Sequence, residues 1–301
     1  MARSAIAPVE MWPRQIIRAT VHFVRYCRRN PALAVGLVIL LFLAGLGLVG
    51  RLIVNVDDSA PASVTPNLAP SLTHPFGTDG QGRDLFAALV IGLPLTLQVG
   101  FVAGAIGLGV GAVVGFVSGY VGGVLDAIVR VAVDSLLTVP ALLILVTIAS
   151  SIKGFISVNV IALVIASLAW MGPARTIRAQ VLTLRGRGYV DIARFSGVGT
   201  VGVICRELLP NLLGYLASSF VAAVSTAVLA SVGLSALGLG PQNVPTVEMM
   251  LYWAIFYGAL ASGAWWWWVF PGGLVLLLFL GLYFVTSGLD EVANPRRRLG
   301  T

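Results

Sequence analysis

Few side chains in this sequence can do chemistry, and they sit in unusual places. Asp126, Arg130 and Asp134 recur every four residues within an apolar run, which sets them on one stripe of a helix. Ionisable groups inside a membrane are costly and face a cavity or a partner. The stripe therefore reads either as the wall of a polar pathway or as an ion ladder that neutralises itself near one end of its span. An interfacial position for Asp126 favours the ladder. His74, Asp79 and Asp84 cluster in His74-Pro75-Phe76-Gly77-Thr78-Asp79-Gly80-Gln81-Gly82-Arg83-Asp84, but their spacing matches no metal-ligand pattern. Asp79 or Asp84 reads instead as the N-cap of a helix beginning at Leu85. The single lysine, Lys153, lies in Ser151-Ile152-Lys153-Gly154, and no G-x-x-x-x-G-K-[ST] phosphate loop occurs. With only 2 His and 2 Cys in the chain, no catalytic, cofactor-binding or metal-ligating set is expected.

The elements that must carry these residues follow from composition. Of 301 residues, 58% are hydrophobic and 10% charged, against about 25% charged in a soluble domain. Mean hydropathy is +0.95, which excludes an ordinary soluble globular protein. The formal charge of +7 does not point to nucleic acid, because so apolar a chain has no extended solvated basic surface. A bilayer core of roughly 30 Å needs about 20 apolar residues per helix. Six stretches qualify, near 32–54, 93–118, 127–150, 158–174, 211–233 and 268–288, the fourth being the shortest. None shows the two-residue alternation of a membrane barrel. The expected fold is an all-α integral membrane protein with six transmembrane helices.

Arginine sets the expected orientation. Arg3, Arg14, Arg18, Arg25, Arg28 and Arg29 precede the first span. Arg175, Arg178, Arg185, Arg187, Arg194 and Arg206 lie between spans four and five, and Arg296, Arg297 and Arg298 in the tail. Six spans put all three groups on one side, which the positive-inside rule makes cytoplasmic, together with both termini. Cys27 and Cys205 then face a reducing compartment, so no disulfide is expected. The run from Ala32 to Val54 exceeds the usual h-region of about 7–15 residues and reads as a retained span.

The expected organisation is a cytoplasmic N-terminal segment (1–31), a first span (32–54), an extracytoplasmic loop (55–92), a transmembrane core of helices two to six (93–290) and a cytoplasmic tail (291–301). Residues 12–29 place Arg14, Arg18, His22, Arg25 and Arg29 on one face of an amphipathic helix suited to lie in the lipid headgroups. Gly107, Gly111, Gly115 and Gly119, with Gly100 and Gly104, make a groove on span two for another helix of this chain or of a second subunit. The loop 234–267 ends in Trp265-Trp266-Trp267-Trp268, residues that favour the headgroup level and suit the outer end of span six. The loop 175–210 is far longer than two antiparallel spans need, and its size suggests a docking surface.

At that loop the sequence resembles the EAA loop of ABC importer permeases. The family pattern is Glu-Ala-Ala, three residues, Gly, nine residues, Ile, any residue, Leu-Pro. Here Tyr189-Val190-Asp191-Ile192-Ala193 is followed by Gly197 and then Leu209-Pro210. Asp191 replaces Glu, Ile192 replaces the first Ala, and Glu207 stands where Ile is usual, while the spacing from Ala193 to Pro210 is intact. His74 to Asp79 with Gly82-Arg83-Asp84 is similar to the opening of the second span in the peptide/nickel subfamily, in its DppC/OppC-type subunit. Gly119-Tyr120-Val121-Gly122-Gly123, Asp134…Pro140, Leu237-Gly238-Leu239-Gly240 and Asn294-Pro295-Arg296 follow the same subfamily. One departure is local: the family usually has Trp-Gly before its Met-Leu, and here Val247 and Glu248 precede Met249.

The resemblance implies a type I ABC importer permease architecture. Its partners would be a second homologous permease subunit, one or two cytoplasmic ATPase subunits or domains, and an extracytoplasmic solute-binding protein. ATP and Mg would be bound by the ATPases. It further implies peptide as cargo, with nickel chelates or another small solute as the alternative within the family. Tyr189, Asp191, Ala193, Arg194, Gly197, Leu209 and Pro210 would couple to the ATPase, and Gly77, Thr78, Asp79, Gly82, Arg83 and Asp84 form the family motif before span two. A stand-alone secondary transporter or channel is the rival from another class. It would call for ionisable residues deep in several spans, and only the stripe in span three offers them.

Overall fold

The computed structural model of the chain describes residues 30–293, which are helical apart from connecting segments and one antiparallel bridge between Thr78 and Asp84. The expected amphipathic helix at 12–29, Cys27, Asn294-Pro295-Arg296 and the tail arginines lie outside the described residues. Among the described residues five helices are long and apolar enough to cross a membrane, and six if one sharply bent pair counts as a single span.

Helix α1 (Pro31–Val49) begins with proline in its first turn, where the missing N–H costs nothing. The Asn30 amide donates to Gly288 O, fastening the start of α1 to the last helix. Helix α2 (Leu85–Val121) starts eight residues before the expected position. Pro94, beside the expected start at 93, lies inside it, since an internal proline sacrifices one carbonyl bond without ending a well-packed helix. The start is fixed by Asp84, whose carboxylate accepts the Ala87 N–H at 2.8 Å.

The expected third span is broken. Helices α3 (Gly123–Thr138) and α4 (Ala141–Ser151) meet at 83°. Pro140 has no N–H to continue the ladder and forces Val139 into extended backbone (φ −83°, ψ 131°). The fourth span is longer than expected. Helices α5 (Val158–Ala169) and α6 (Met171–Leu184) form one apolar run of 27 residues, so Arg175 and Arg178 stand on a helix and not in a loop.

The short helix α7 (Gly188–Phe195) follows, then α8 (Thr200–Val203), a turn of π-helix (Ile204–Leu208) and α9 (Leu209–Ala236). The last three make one helical run from Thr200 to Ala236. Pro210 therefore does not mark a re-entry into span five. The Leu209 N–H reaches back to Ile204 O in the widened turn just before the proline. Helix α10 (Val247–Phe256) interrupts the next loop, capped by Thr246, and α11 (Trp266–Ala293) closes the fold.

Helix α2 is the hub, packing against α1, α5, α6 and α9, while α1 lies along α11. The glycine ladder faces partners in this chain. A β-carbon at Gly107 would stand 2.7 Å from Ala169 Cβ, at Gly111 2.6 Å from Trp170 O, and at Gly115 2.8 Å from Ala174 O. Gly100 and Gly104 press on Val228 and Val224 of α9 in the same way. Small residues let helix backbones meet where lipid supplies no hydrophobic drive for association. One apolar core gathers Leu43, Leu89, Met249, Trp253 and Trp267 at the Leu85 end of α2. Another gathers Tyr120, Ile177, Val190, Val203 and Leu208 at its far end.

Candidate functional site

The far end of α2 carries the segment that resembles the coupling loop. Helix α7 is amphipathic in an unusual sense, with apolar side chains on two faces. Val190 and Ala193 are buried against Tyr120, Val203 and Leu208. Ile192 and Phe195 point away from the bundle and are 68% and 92% exposed, with Val201 on α8 at 73%. Burying Phe195 would remove roughly 1.5–3 kcal/mol of unfavourable hydration. Arg187, Asp191, Arg194 and Arg206 surround these side chains, all exposed.

Of the residues singled out in this loop, Tyr189, Asp191, Arg194 and Pro210 are exposed and Leu209 is half-buried. Ala193 is turned inward, where a larger side chain would lift α7 off the bundle. Gly197 ends the helix. Its φ is +81°, its N–H donates to Arg194 O (3.0 Å), and the Val198 N–H donates to Ala193 O (3.1 Å). This pair of bonds is the Schellman motif, which favours glycine at that position. Nothing lies within 4 Å of a β-carbon built there, so the requirement is one of backbone alone.

Two contacts tie the loop to span two. The Arg194 guanidinium lies 5.5 Å from the Tyr120 ring centroid. Arg185 Nη1 donates to Gly119 O (3.0 Å), satisfying a carbonyl in the last turn of α2. Ile192 and Phe195 escaped sequence reading. Their signal is a three-residue spacing that alternates with the inward pair Val190 and Ala193.

The stripe on α3 finds partners across the helix pair. Arg178 of α6 donates through Nε to Asp126 Oδ1 and through Nη2 to Oδ2 (2.7 Å). Arg175 lies 3.7 Å from Asp134 in a largely exposed pair. Arg130 lines a small cleft with Asp134, Arg175 and Arg178. Both carboxylates of the stripe thus find ion-pair partners on α6, with Arg130 of their own helix also acting on Asp126. A separate, mainly apolar cleft of about 400 Å³ opens between the α3–α4 bend, the α5–α6 junction and α9. Met171, Tyr215, Ser219 and Thr226 are among its lining residues.

The motif before α2 lies at the opposite end and forms a knot of hydrogen bonds. Asp84 accepts from Ala87 N–H and pairs with His74 Nδ1 at 2.7 Å. Asp79 accepts the Gln81 and Arg83 N–H groups, each at 2.9 Å. Burial raises the Asp79 carboxyl above its usual range, against the lowering effect of those bonds and of Arg83. Arg83 is buried over the Trp253 ring at 3.8 Å, and burial lowers it from its ordinary value. Gly77 and Gly82 both have positive φ.

Thr78 is fully buried, and its carbonyl accepts the indole N–H groups of Trp266 (3.2 Å) and Trp267 (2.9 Å). Two of the four tryptophans thus fasten this motif to α11, while Trp265 and Trp268 stay partly exposed. Phe76 stacks on Phe270 at 4.0 Å and extends the joint.

Residues 111–299 match the family described as binding-protein-dependent transport system inner membrane component. A putative peptide permease protein of Brucella abortus biovar 1 (strain 9-941) is 35% identical over 77% of this chain and 76% of its own length. A putative peptide transport system permease protein of the same strain is 30% identical over 91% of both chains. The dipeptide transport system permease protein DppC of Bacillus subtilis (strain 168) is 31% identical over 91% of this chain and 85% of its own.

Proposed function

Because the chain belongs to the binding-protein-dependent transport system inner membrane components, a family of transport permeases and not of enzymes, we propose that it is the permease subunit of an ATP-driven peptide importer. The names of its relatives support peptide as cargo. The arginine-rich end of the bundle is cytoplasmic in this reading, with both termini on that side. ATP and Mg are held by one or two cytoplasmic ATPase subunits or domains. Peptide arrives from an extracytoplasmic binding protein at the end that carries the His74–Asp84 motif. A second, homologous permease subunit covers the face with the 400 Å³ cleft, and the path runs between the two.

One observation carries the motor assignment: the exposed ridge of Ile192 and Phe195, flanked by Val201 of α8, on α7, a helix whose other side is seated on the bundle. An ATPase cleft that takes up this ridge moves α7, and α7 is joined to span two through Arg194 and Tyr120. Closure of the ATPases then turns the spans as bodies and changes the open side.

Co-purification with the partner ATPases tests this reading. The intact chain retains them. Phe195→Asp, which puts a charge on the ridge without touching the core, releases them, and Gly197→Asp weakens retention by straining the turn. Retention of the ATPases by both variants at the level of the intact chain rejects the docking surface.

A further inference from the structure

Glu248 occupies the position at which this chain departs from its family's Trp-Gly, and it is buried, 1% exposed. Both carboxylate oxygens are used. Thr96 Oγ1 of α2 donates to Oε2 at 2.6 Å, and Ser231 Oγ of α9 donates to Oε1 at 2.8 Å. Among the described residues no ion pair involves Glu248, so these hydroxyls are what hold the acid in a dry site. The backbone joins in, since the Val247 N–H donates to Thr96 Oγ1 at 3.1 Å. Just before it, Pro245 O lies so close to Gly92 that a β-carbon there would stand 1.8 Å away. Thr246, Met249 and Met250 are buried beside it. The start of α10 is therefore a wedge between spans two and five and not a strap over them.

Drawing α10 away from either span strands an oxygen of a buried acid, which costs the full desolvation of that group. In a low-dielectric site the two bonds are also stronger than at a surface. Three helices, one of them reached across 152 residues of sequence, are held through one side chain.

We propose that Glu248 is a positioning residue that makes the loop 234–267 and spans two and five move as one body. It thereby passes a displacement of the outward loop to the spans. The inference rests on the importer reading above and adds to it the route by which a partner on the outer side is felt within the bundle.

The test uses the complete complex in proteoliposomes: both permease subunits, the ATPases, and binding protein saturated with trialanine. ATP hydrolysis is read with and without the binding protein. Glu248→Ala is expected to assemble and keep its basal rate while stimulation by the binding protein falls about tenfold, within the usual range for coupling between sites. Glu248→Gln is expected to keep most of the stimulation, because an amide can accept one hydroxyl hydrogen and donate to the other oxygen. Full stimulation of Glu248→Ala overturns the proposal, as does an equal fall in its basal and stimulated rates. Loss in Glu248→Gln as complete as in Glu248→Ala overturns it too. If Glu248→Ala does not assemble, Ser231→Ala removes one bond alone, and unchanged stimulation in that variant is equally contrary. Absence of stimulation in the unaltered complex counts against the importer reading instead.

Discussion

Arg178 decides how the charges of the third span are used. The four-residue spacing of Asp126, Arg130 and Asp134 was legible in the sequence, and so was the cost of placing them in an apolar run. Their partners were not legible, because periodicity describes one helix at a time and Arg178 and Arg175 stand on another. The bidentate pair is charge-assisted and partly buried, so removing either member should cost about 2 kcal/mol. Asp126→Asn and Arg178→Gln are expected to destabilise the purified chain separately, with the double variant close to the worse single one. A thermal-unfolding double-mutant cycle checks this, and strict additivity contradicts the pair. The same blindness hid Glu248, whose hydroxyl partners lie on two further helices. The residues that could be read in advance, Gly197 and Asp84, act through the backbone next to them in sequence.

At the scale of the element, prolines and glycines account for most differences between expectation and structure. The expected spans two and five begin beside Pro94 and Pro210, and the expected span three runs through Pro140. The structure reverses each: Pro140 breaks its helix, while α2 has a strong cap upstream of Pro94 and a π-turn accommodates Pro210. The glycine ladder was legible as a groove, though not whether its partner lay in this chain. That partner is chiefly the α5–α6 span, so the ladder belongs to the fold of the single chain. Gly111→Val should overpack the contact with Trp170 and Pro173 and cost about 1–3 kcal/mol or more. Gly109→Ala is the matched control, with nothing within 4 Å of its β-carbon. It should be neutral or stabilise by up to about 1 kcal/mol. Detergent thermal shifts compare the two, and equal effects reject the close approach.

Across the whole molecule, α2 joins the two ends. Its 37 residues make a rod of about 55 Å, well beyond the hydrocarbon core of roughly 30 Å. One end carries the knot of Asp84, Thr78 and the tryptophans, with Glu248 bound to Thr96 further along. The other end meets Arg194 of α7 and Arg185 at the end of α6. A push on α7 and a push on α10 thus reach the same helix, as an importer driven from one side and loaded from the other requires. In the proposed function this chain moves cargo only as part of such a machine. Uptake of labelled trialanine into proteoliposomes holding the full complex tests it most directly. Accumulation against the gradient is expected only when ATP and the binding protein are both supplied. Equal uptake without ATP, or by this chain alone, would contradict it.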